Sequence, residues 1–136
     1  DMKKILVILL LPLSVYSQST QEQIDSLRYY MHIELNEYRA EHRSQKLEIS
    51  DKLNDFAQNW AETMYKTGEF KHSERPFNSA ENIFRGNDYI STCKEFSYWT
   101  LYHWKNSPRH NQNLIWYAYT KVGYGFYKGY AVQIFE

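Results

Sequence analysis

The sequence predicts a single α+β domain in which helices pack over a small sheet. Apolar residues first recur at every third or fourth position, which is the period of an amphipathic helix, and near the C-terminus they alternate as in strands. The chain of 136 residues is long enough for one domain and too short for two of ordinary size. Helices followed by a terminal pair of strands are typical of this fold class.

Three helices are predicted in the first three quarters of the chain. The first follows an apolar stripe from Ile24 to about Ser44. The second extends from Asp51 to about Thr67, after a serine suited to the N-cap and before a glycine suited to the C-terminal cap. The third begins near Thr92, which precedes a glutamate at capping-box spacing. Because the third helix is apolar on nearly every side, we expect it to be buried from more than one direction.

The segments around these helices are predicted to be irregular or extended. Residues 69–90 contain proline, glycine, asparagine and serine, which predicts a loop. Pro108 is expected to end the third helix, since the residue before a proline avoids helical geometry. The alternating runs 122–126 and 130–134 flank a Lys-Gly pair and predict a β-hairpin.

The N-terminal segment is typical of an export signal. Residues 1–17 combine a short basic start, an apolar run and a small-residue end, and we expect cleavage after Ser17. The run is shorter than the ~20 residues of a membrane-spanning helix and contains Pro12, so no transmembrane anchor is expected after cleavage. Residues 18–23 are then expected to be a flexible N-terminus and 24–136 the folded domain, in a secreted or periplasmic protein.

Composition and charge narrow the classes of function. Sixteen basic residues balance 16 acidic ones, which leaves no electrostatic reason to bind nucleic acid. The single cysteine, Cys93, excludes an intramolecular disulfide and a multi-cysteine metal site, and we expect it to be a core residue. Aromatic residues make up 18% of the chain; most are expected in the core, although surplus tyrosines can line a groove.

The histidines are the main carriers of chemistry in this sequence. His32 and His42 are expected to face solvent, and His103 is expected to be packed and hydrogen-bonded. His72 and His110 fall in segments predicted to be irregular, beside polar residues. Because sites usually lie on loops that a scaffold positions, these two are the candidate functional histidines.

His72, His110 and Glu81 together provide two imidazoles and a carboxylate. This set suits a divalent cation such as zinc, with water completing the site, and it equally suits a hydrogen-bonded cluster without metal. In a hydrolase, Glu81 is the candidate general base. The sequence contains neither a His-Glu-x-x-His motif nor a Gly-x-Ser-x-Gly motif, so it indicates no zincin or serine-hydrolase site.

Several stretches together resemble the CAP superfamily, also called the SCP domain, in its bacterial form. The superfamily includes cysteine-rich secretory proteins, antigen five and plant pathogenesis-related class 1 proteins. The similarity extends over roughly residues 27–135, and it depends on the order and spacing of the motifs. The matching stretches are residues 35–39, 53–61, 70–73 with 80–83, and 104–110 with 113–115 and 119–125.

The resemblance implies a three-layer α-β-α sandwich and one open cleft at its polar residues. Many members place a second acidic residue there, but residues 104–107 offer no carboxylate and Glu95 lies over two turns earlier. This sequence is similar to the bacterial exported members in two features: it has no disulfides, and its final motif has the Ser-Pro-Arg-His form. The implied ligand-binding cleft consists of His72, Glu81 and His110, with Ser73, Asn82 and Asn113.

Three functions follow from the residues and the resemblance. The leading hypothesis is an exported, non-catalytic protein whose His/Glu cleft binds a divalent cation, Zn²⁺ or another, or a small or extended ligand. The first alternative is a module that docks a protein or a glycan and whose histidines are structural. The second is a zinc-dependent hydrolase of peptide or cell-wall material, with His72 and His110 as zinc ligands and Glu81 as a further ligand or the general base. The ligand class, whether lipid, glycan, peptide or protein, stays open because a fold does not set a function.

Overall fold

The computed structural model describes residues 20–75, 78–86 and 92–136. The expected signal segment, residues 1–17, lies outside this part of the chain, and so do residues 18 and 19 of the expected flexible N-terminus. The predicted α+β class is confirmed. The described residues form helices α1 (Gln21–Glu41), α2 (Asp51–Thr67), α3 (Cys93–Lys105) and α4 (Pro108–Ile115), and strands β1 (Glu48–Ile49), β2 (Ala80–Arg85), β3 (Lys121–Tyr127) and β4 (Tyr130–Phe135).

The four strands form one mixed sheet in the order β1-β3-β4-β2. β1 pairs with β3 in parallel, and the other pairs are antiparallel. Because successive residues of a strand point to opposite faces, each strand contributes to two cores. One core contains residues of α2, and the other contains residues of α1, α3 and α4, which gives the expected α-β-α sandwich.

The α2 face of the sheet is packed at backbone distance. A Cβ atom at Gly123 would overlap the backbone of Leu53, and a Cβ at Gly125 would overlap that of Ala57. Two polar side chains of α2 bind open backbone groups of β3: the Tyr124 N–H donates to Asn54 Oδ1 at 2.9 Å, and the Phe126 N–H donates to Gln58 Oε1 at 3.0 Å. This helix is therefore fixed to β3 by close contact and by hydrogen bonds.

On the opposite face, a buried arginine joins α1 to the end of α4. Arg39 is fully buried, and it donates from Nη1 to the Leu114 carbonyl at 2.7 Å and from Nε to the Gln45 carbonyl at 2.8 Å. A buried charge needs such partners, because burial removes its hydration. The contact fixes the position of α4, which carries two of the candidate site residues.

The capping residues account for the helix boundaries. Ser50 accepts a hydrogen bond from the Leu53 N–H, and Gly68 ends α2 with a φ of 73°, so both predicted caps of this helix are confirmed. α1 begins earlier than its apolar stripe predicts: Thr20 and Gln23 form a capping box, so residues 21–23 are helical and not a loose terminus.

Two regular elements lie where the sequence predicted irregular structure. Pro108 ends α3 as expected, but it also occupies the first turn of α4, where its missing N–H costs nothing. His110 is therefore on a helix. β2 lies inside the segment 69–90, and it forms because β4 supplies its pairing partner.

The third helix, expected to be buried from more than one direction, keeps one side exposed. Its buried side is Ser97, Thr100, Leu101 and Trp104, whereas Tyr98, Trp99 and Tyr102 are about half exposed, at 54%, 49% and 45%. His103, predicted to be packed, is exposed and stacks on Phe84 with ring centroids 5.2 Å apart. Cys93, expected in the core, is partly buried and packs against the core that contains α1, α3 and α4. The aromatic content of α3 therefore creates a surface as well as a core.

Candidate functional site

The candidate site is built around the edge strand β2. Glu81 and Asn82 are neighbours in this strand, so their side chains point to opposite faces of the sheet. Glu81 meets the loop that follows α2, and Asn82 meets α4. Because β2 is at the edge, groups from both helical layers reach the same end of the sheet. We call His72, Ser73, Glu81, Asn82, His110 and Asn113 the His–Glu cluster.

The carboxylate of Glu81 is buried and fully engaged. Its side chain is 0% exposed, and Oε1 accepts hydrogen bonds from His72 Nδ1 at 2.6 Å and from the Ser73 N–H at 2.9 Å. Oε2 accepts from Ser73 Oγ at 2.5 Å. Because a carboxylate oxygen only accepts, the Nδ1 proton of His72 is fixed, and Nε2 of this half-exposed ring is left as the acceptor when the ring is neutral.

Asn82 fastens β2 to α4 on the other face. Its Nδ2 donates to the His110 carbonyl and to Gln133 Oε1, both at 3.2 Å, and its Oδ1 accepts from Asn113 Nδ2 at 2.9 Å. Asn113 also donates to the Glu81 carbonyl at 3.4 Å. These bonds satisfy an outward backbone group of the edge strand and set the position of His110 relative to Glu81.

His110 is held by its own helix N-terminus. Its Nδ1 lies 2.8 Å from Ser107 Oγ, and the ring is partly buried. Burial lowers the pKa of His110, and the charge of His72 lowers it further. The two imidazoles are therefore close enough to interact, and His110 is neutral at neutral pH, with a lone pair that a cation or a hydrogen-bond donor can use.

All six residues predicted for the cleft are linked in this cluster. Sequence reasoning missed Gln133, which is fully buried and holds Asn82. Its signal was a lone polar residue between Val132 and Ile134 in an apolar strand. Sequence reasoning also missed Ser107, whose hydroxyl lies 2.8 Å from Nδ1 of His110.

The cluster offers few atoms to a metal ion. Within the described part of the chain, no group of three or more His, Cys, Asp or Glu side chains is arranged to hold one. Hydrogen bonds from His72 and Ser73 also engage both oxygens of Glu81. The unengaged nitrogen donors that fit a cation are the Nε2 atoms of the two imidazoles.

Two other histidines differ in environment. His32, predicted to face solvent, is half-buried, and its Nδ1 lies 2.9 Å from the hydroxyl of Tyr124. Burial lowers the pKa of His32, and Lys46 adds to this effect. His42 is exposed as predicted, and its ring lies 4.3 Å from that of Tyr38. Neither belongs to the His–Glu cluster.

The profile of the cysteine-rich secretory protein (CAP) family matches residues 33–135. The chain belongs to this family. None of the curated proteins matches the chain significantly.

Solved structures of SCP-domain proteins share the fold. An extracellular protein containing an SCP domain from Bacillus anthracis is 19% identical with a TM-score of 0.68, over 82% of this chain and 40% of its own length. An outer surface protein from Borrelia burgdorferi is 20% identical with a TM-score of 0.69, over 88% of this chain and 96% of that one. NaASP2, whose crystal structure is described with Zn²⁺, is 16% identical with a TM-score of 0.59, over 85% and 80%. This chain thus spans less than half of the Bacillus protein.

Among the residues that the structure describes, no helix combines the length and the apolar character that crossing a bilayer requires.

Proposed function

We propose that this chain is an exported, non-catalytic binding protein whose His–Glu cluster takes a weakly held divalent cation or a small or extended ligand. The observation that carries this proposal is the state of Glu81, whose carboxylate is buried and engaged by three hydrogen bonds from His72 and Ser73. Such a carboxylate orients its neighbours and has little capacity left for chemistry.

The hydrogen bonds favour binding over catalysis. A general base needs an oxygen or nitrogen lone pair that reaches a water or a substrate proton, and the Glu81 side chain is 0% exposed. A serine nucleophile needs a hydroxyl oxygen that a substrate can reach, and Ser73 is buried. The zinc-dependent hydrolase, which assigns Glu81 as ligand or general base, is therefore the weaker candidate.

A cation would be held by His72 and His110. The Nδ1 atoms of both rings are engaged, by Glu81 and by Ser107, which leaves Nε2 on each ring for a ligand. A carboxylate behind a ligating imidazole is a common arrangement around zinc. Two imidazoles without a protein carboxylate fit zinc only when water or a bound ligand completes its coordination, so we expect weak binding. When bound, zinc would supply a positive charge that attracts anionic groups of a ligand.

Export is part of the proposal. The basic start and apolar run of residues 1–17 have the pattern of a signal peptide. The similar protein from Bacillus anthracis is described as extracellular, and the similar one from Borrelia burgdorferi as an outer surface protein. Both observations favour a secreted or periplasmic location for this chain.

A docking module for a protein or a glycan is the second candidate. The observation that favours it is the exposed aromatic surface of α3, formed by Tyr98, Trp99 and Tyr102. Trp99 and Tyr102 meet edge to face at 5.5 Å, which holds two large rings in fixed positions. Rings of this kind are common anchors in interfaces.

Calorimetry with zinc chloride tests the role of the cluster. We expect the wild type to bind zinc and the double variant His72→Ala/His110→Ala to lose this binding. The matched control is His42→Ala/His103→Ala, which removes two exposed histidines elsewhere and should bind like the wild type. Equal binding by all three proteins would assign the heat to adventitious surface histidines and refute the cation site. Cleavage of peptidoglycan by the zinc-loaded wild type, absent in the double variant, would establish the hydrolase instead.

A further inference from the structure

A groove of about 310 Å³ lies between α1 and α3. Its α1 wall carries Glu34, Glu37 and Glu41, and its α3 wall carries Tyr98, Tyr102 and Lys105. None of these residues belongs to the His–Glu cluster. We propose that this groove, the α1–α3 groove, binds an extended basic peptide segment through its lysine or arginine side chains.

The two helices run in the same direction and contact each other at two levels. Ser97 Oγ donates to the Leu27 carbonyl at 3.1 Å before the groove begins, and the Lys105 ammonium lies over the Tyr38 ring within it. The groove is therefore a linear feature between two helices and not a pit at a loop.

The α1 wall is acidic along its length. Glu34, Glu37 and Glu41 stand on one helix face at i, i+3 and i+7, which spans about 10 Å at the helical rise of 1.5 Å per residue. Lys105 is the cation among the lining residues, so the walls carry three carboxylates against one ammonium. The excess of negative charge selects a cationic occupant.

One of these carboxylates has an unused acceptor. Oε2 of Glu34 is buried without a hydrogen-bond partner. Burial raises the pKa of Glu34, and Glu37 raises it further, while Lys105 and Lys94 oppose the shift through their charge. A buried acceptor without a donor is unfavourable, so Glu34 gains if its carboxylate turns toward a cationic donor in the groove.

The aromatic walls already hold an ammonium group. Lys105 Nζ lies 4.2 Å from the centroid of the Tyr38 ring, a distance typical of a cation–π contact. Tyr98 and Tyr102 on the other wall are about half exposed, with rings nearly parallel and centroids 6.4 Å apart. The same ring chemistry that binds Lys105 is therefore exposed to a ligand.

The length of the acidic row favours a peptide over a small amine. In an extended chain, side chains on the same side recur at about 6.6 Å, which is twice the rise per residue. Two basic side chains spaced in this way can reach two of the three carboxylates at once. A small amine would use one carboxylate and leave the others exposed to water.

The test is fluorescence anisotropy with a labelled, amidated Lys-Ser-Lys-Ser-Lys peptide at low ionic strength. We expect the wild type to bind it and to ignore Glu-Ser-Glu-Ser-Glu. Glu37→Gln/Glu41→Gln should weaken binding about tenfold, because the variant loses two exposed ion pairs and each contributes up to about threefold to the affinity. Glu48→Gln/Asp55→Asn removes the same charge from exposed positions elsewhere and should change the affinity less than about twofold.

Two more variants and a competitor separate the groove from net charge, from the His–Glu cluster and from a small-cation site. Tyr102→Ala should weaken binding at unchanged net charge, and His72→Ala/His110→Ala should bind the peptide like the wild type. Equal loss in the groove variant and its charge-matched control would refute the groove as the site. Complete displacement of the peptide by tetramethylammonium, at concentrations matching its lysine content, would show a small-cation site and overturn the peptide proposal.

Discussion

The two faces of the sheet differ in how completely their polar groups are satisfied. On the α2 face, glycines of β3 bring the helix to backbone contact, and Glu81 accepts three hydrogen bonds. On the other face lie the three buried polar atoms that lack a partner within the described residues: Glu34 Oε2, Thr100 Oγ1 and Gln133 Nε2. They belong to α1, α3 and the inner side of β4.

This difference distinguishes polar groups that stabilise the fold from polar groups that can bind a ligand. A group whose hydrogen bonds are all internal has nothing to gain from a partner, so Glu81 positions His72 and stabilises the edge strand. A buried group without a partner gains when a ligand supplies one, and Glu34 lies in the α1–α3 groove. Glu81, the acidic residue selected from the sequence, thus already uses both carboxylate oxygens in hydrogen bonds. The carboxylate with an unused oxygen is Glu34, which lies on α1.

The close contact of the α2 face predicts the largest effect of a substitution. Gly125→Ala places a Cβ against the backbone of Ala57, so α2 must move, and we expect a loss of about 3 kcal/mol in the free energy of unfolding. Urea denaturation measures it. The control Gly68→Ala has open space around the new atom and a φ of 73°, and should lose only about 1 kcal/mol. Equal losses would mean that the α2 face adjusts freely.

Removal of the Glu81 carboxylate should have an intermediate effect on the free energy of unfolding. Glu81→Ala leaves the Ser73 N–H, the Ser73 hydroxyl and His72 Nδ1 without their acceptor, and we expect a loss of about 2–3 kcal/mol. Glu37→Ala, at an exposed position of the groove, should stay within about 0.5 kcal/mol of the wild type. A change at Glu81 as small as the one at Glu37 would remove the distinction between the two carboxylates.

The smallest effect on stability is expected for a substitution of Glu34, and this substitution should stabilise the protein, whereas the preceding ones destabilise it. Because the folded-state pKa of Glu34 is raised by burial, the ionised form is less stable in the folded protein than in the unfolded chain. Its charge therefore lowers stability as the pH rises through that pKa. Glu34→Gln should be more stable than the wild type at pH 7, by less than about 1 kcal/mol, and the gain should vanish below about pH 4.

Thermal unfolding at pH 7 and at acid pH measures this difference. Glu41→Gln, which removes an exposed carboxylate from the same helix, serves as the control for net charge. A gain at pH 7 that persists at acid pH, or one that Glu41→Gln shows equally, would contradict the role of burial.

The sequence was most informative where contacts are local. Ser50 and Gly68 marked both ends of α2, and the Lys-Gly pair marked the hairpin, where Lys128 and Gly129 both have positive φ as a two-residue turn requires. The motif order also indicated the CAP family and brought forward the six residues of the His–Glu cluster. These signals depend on neighbours within about four positions or on the resemblance as a whole.

The pattern was least informative where an element depends on distant partners. Half of the residues of β2 are polar, and the strand forms because β4 pairs with it. Gln133 is polar in an apolar strand, and its partner Asn82 lies 51 positions earlier. The half-exposed rings of α3 look like core residues in the sequence, because the pattern does not say how many sides a neighbouring layer covers.

The sequence by itself determined the fold class, the caps of α2, the hairpin and, through the family resemblance, the polar residues of the His–Glu cluster. Only the tertiary structure decided which of those residues are already satisfied, which polar atoms lack a partner, and which aromatic rings face outward. The physical reason is that caps and turns form within a few residues, whereas saturation and exposure depend on the layers that converge at the edge of β2 and between α1 and α3.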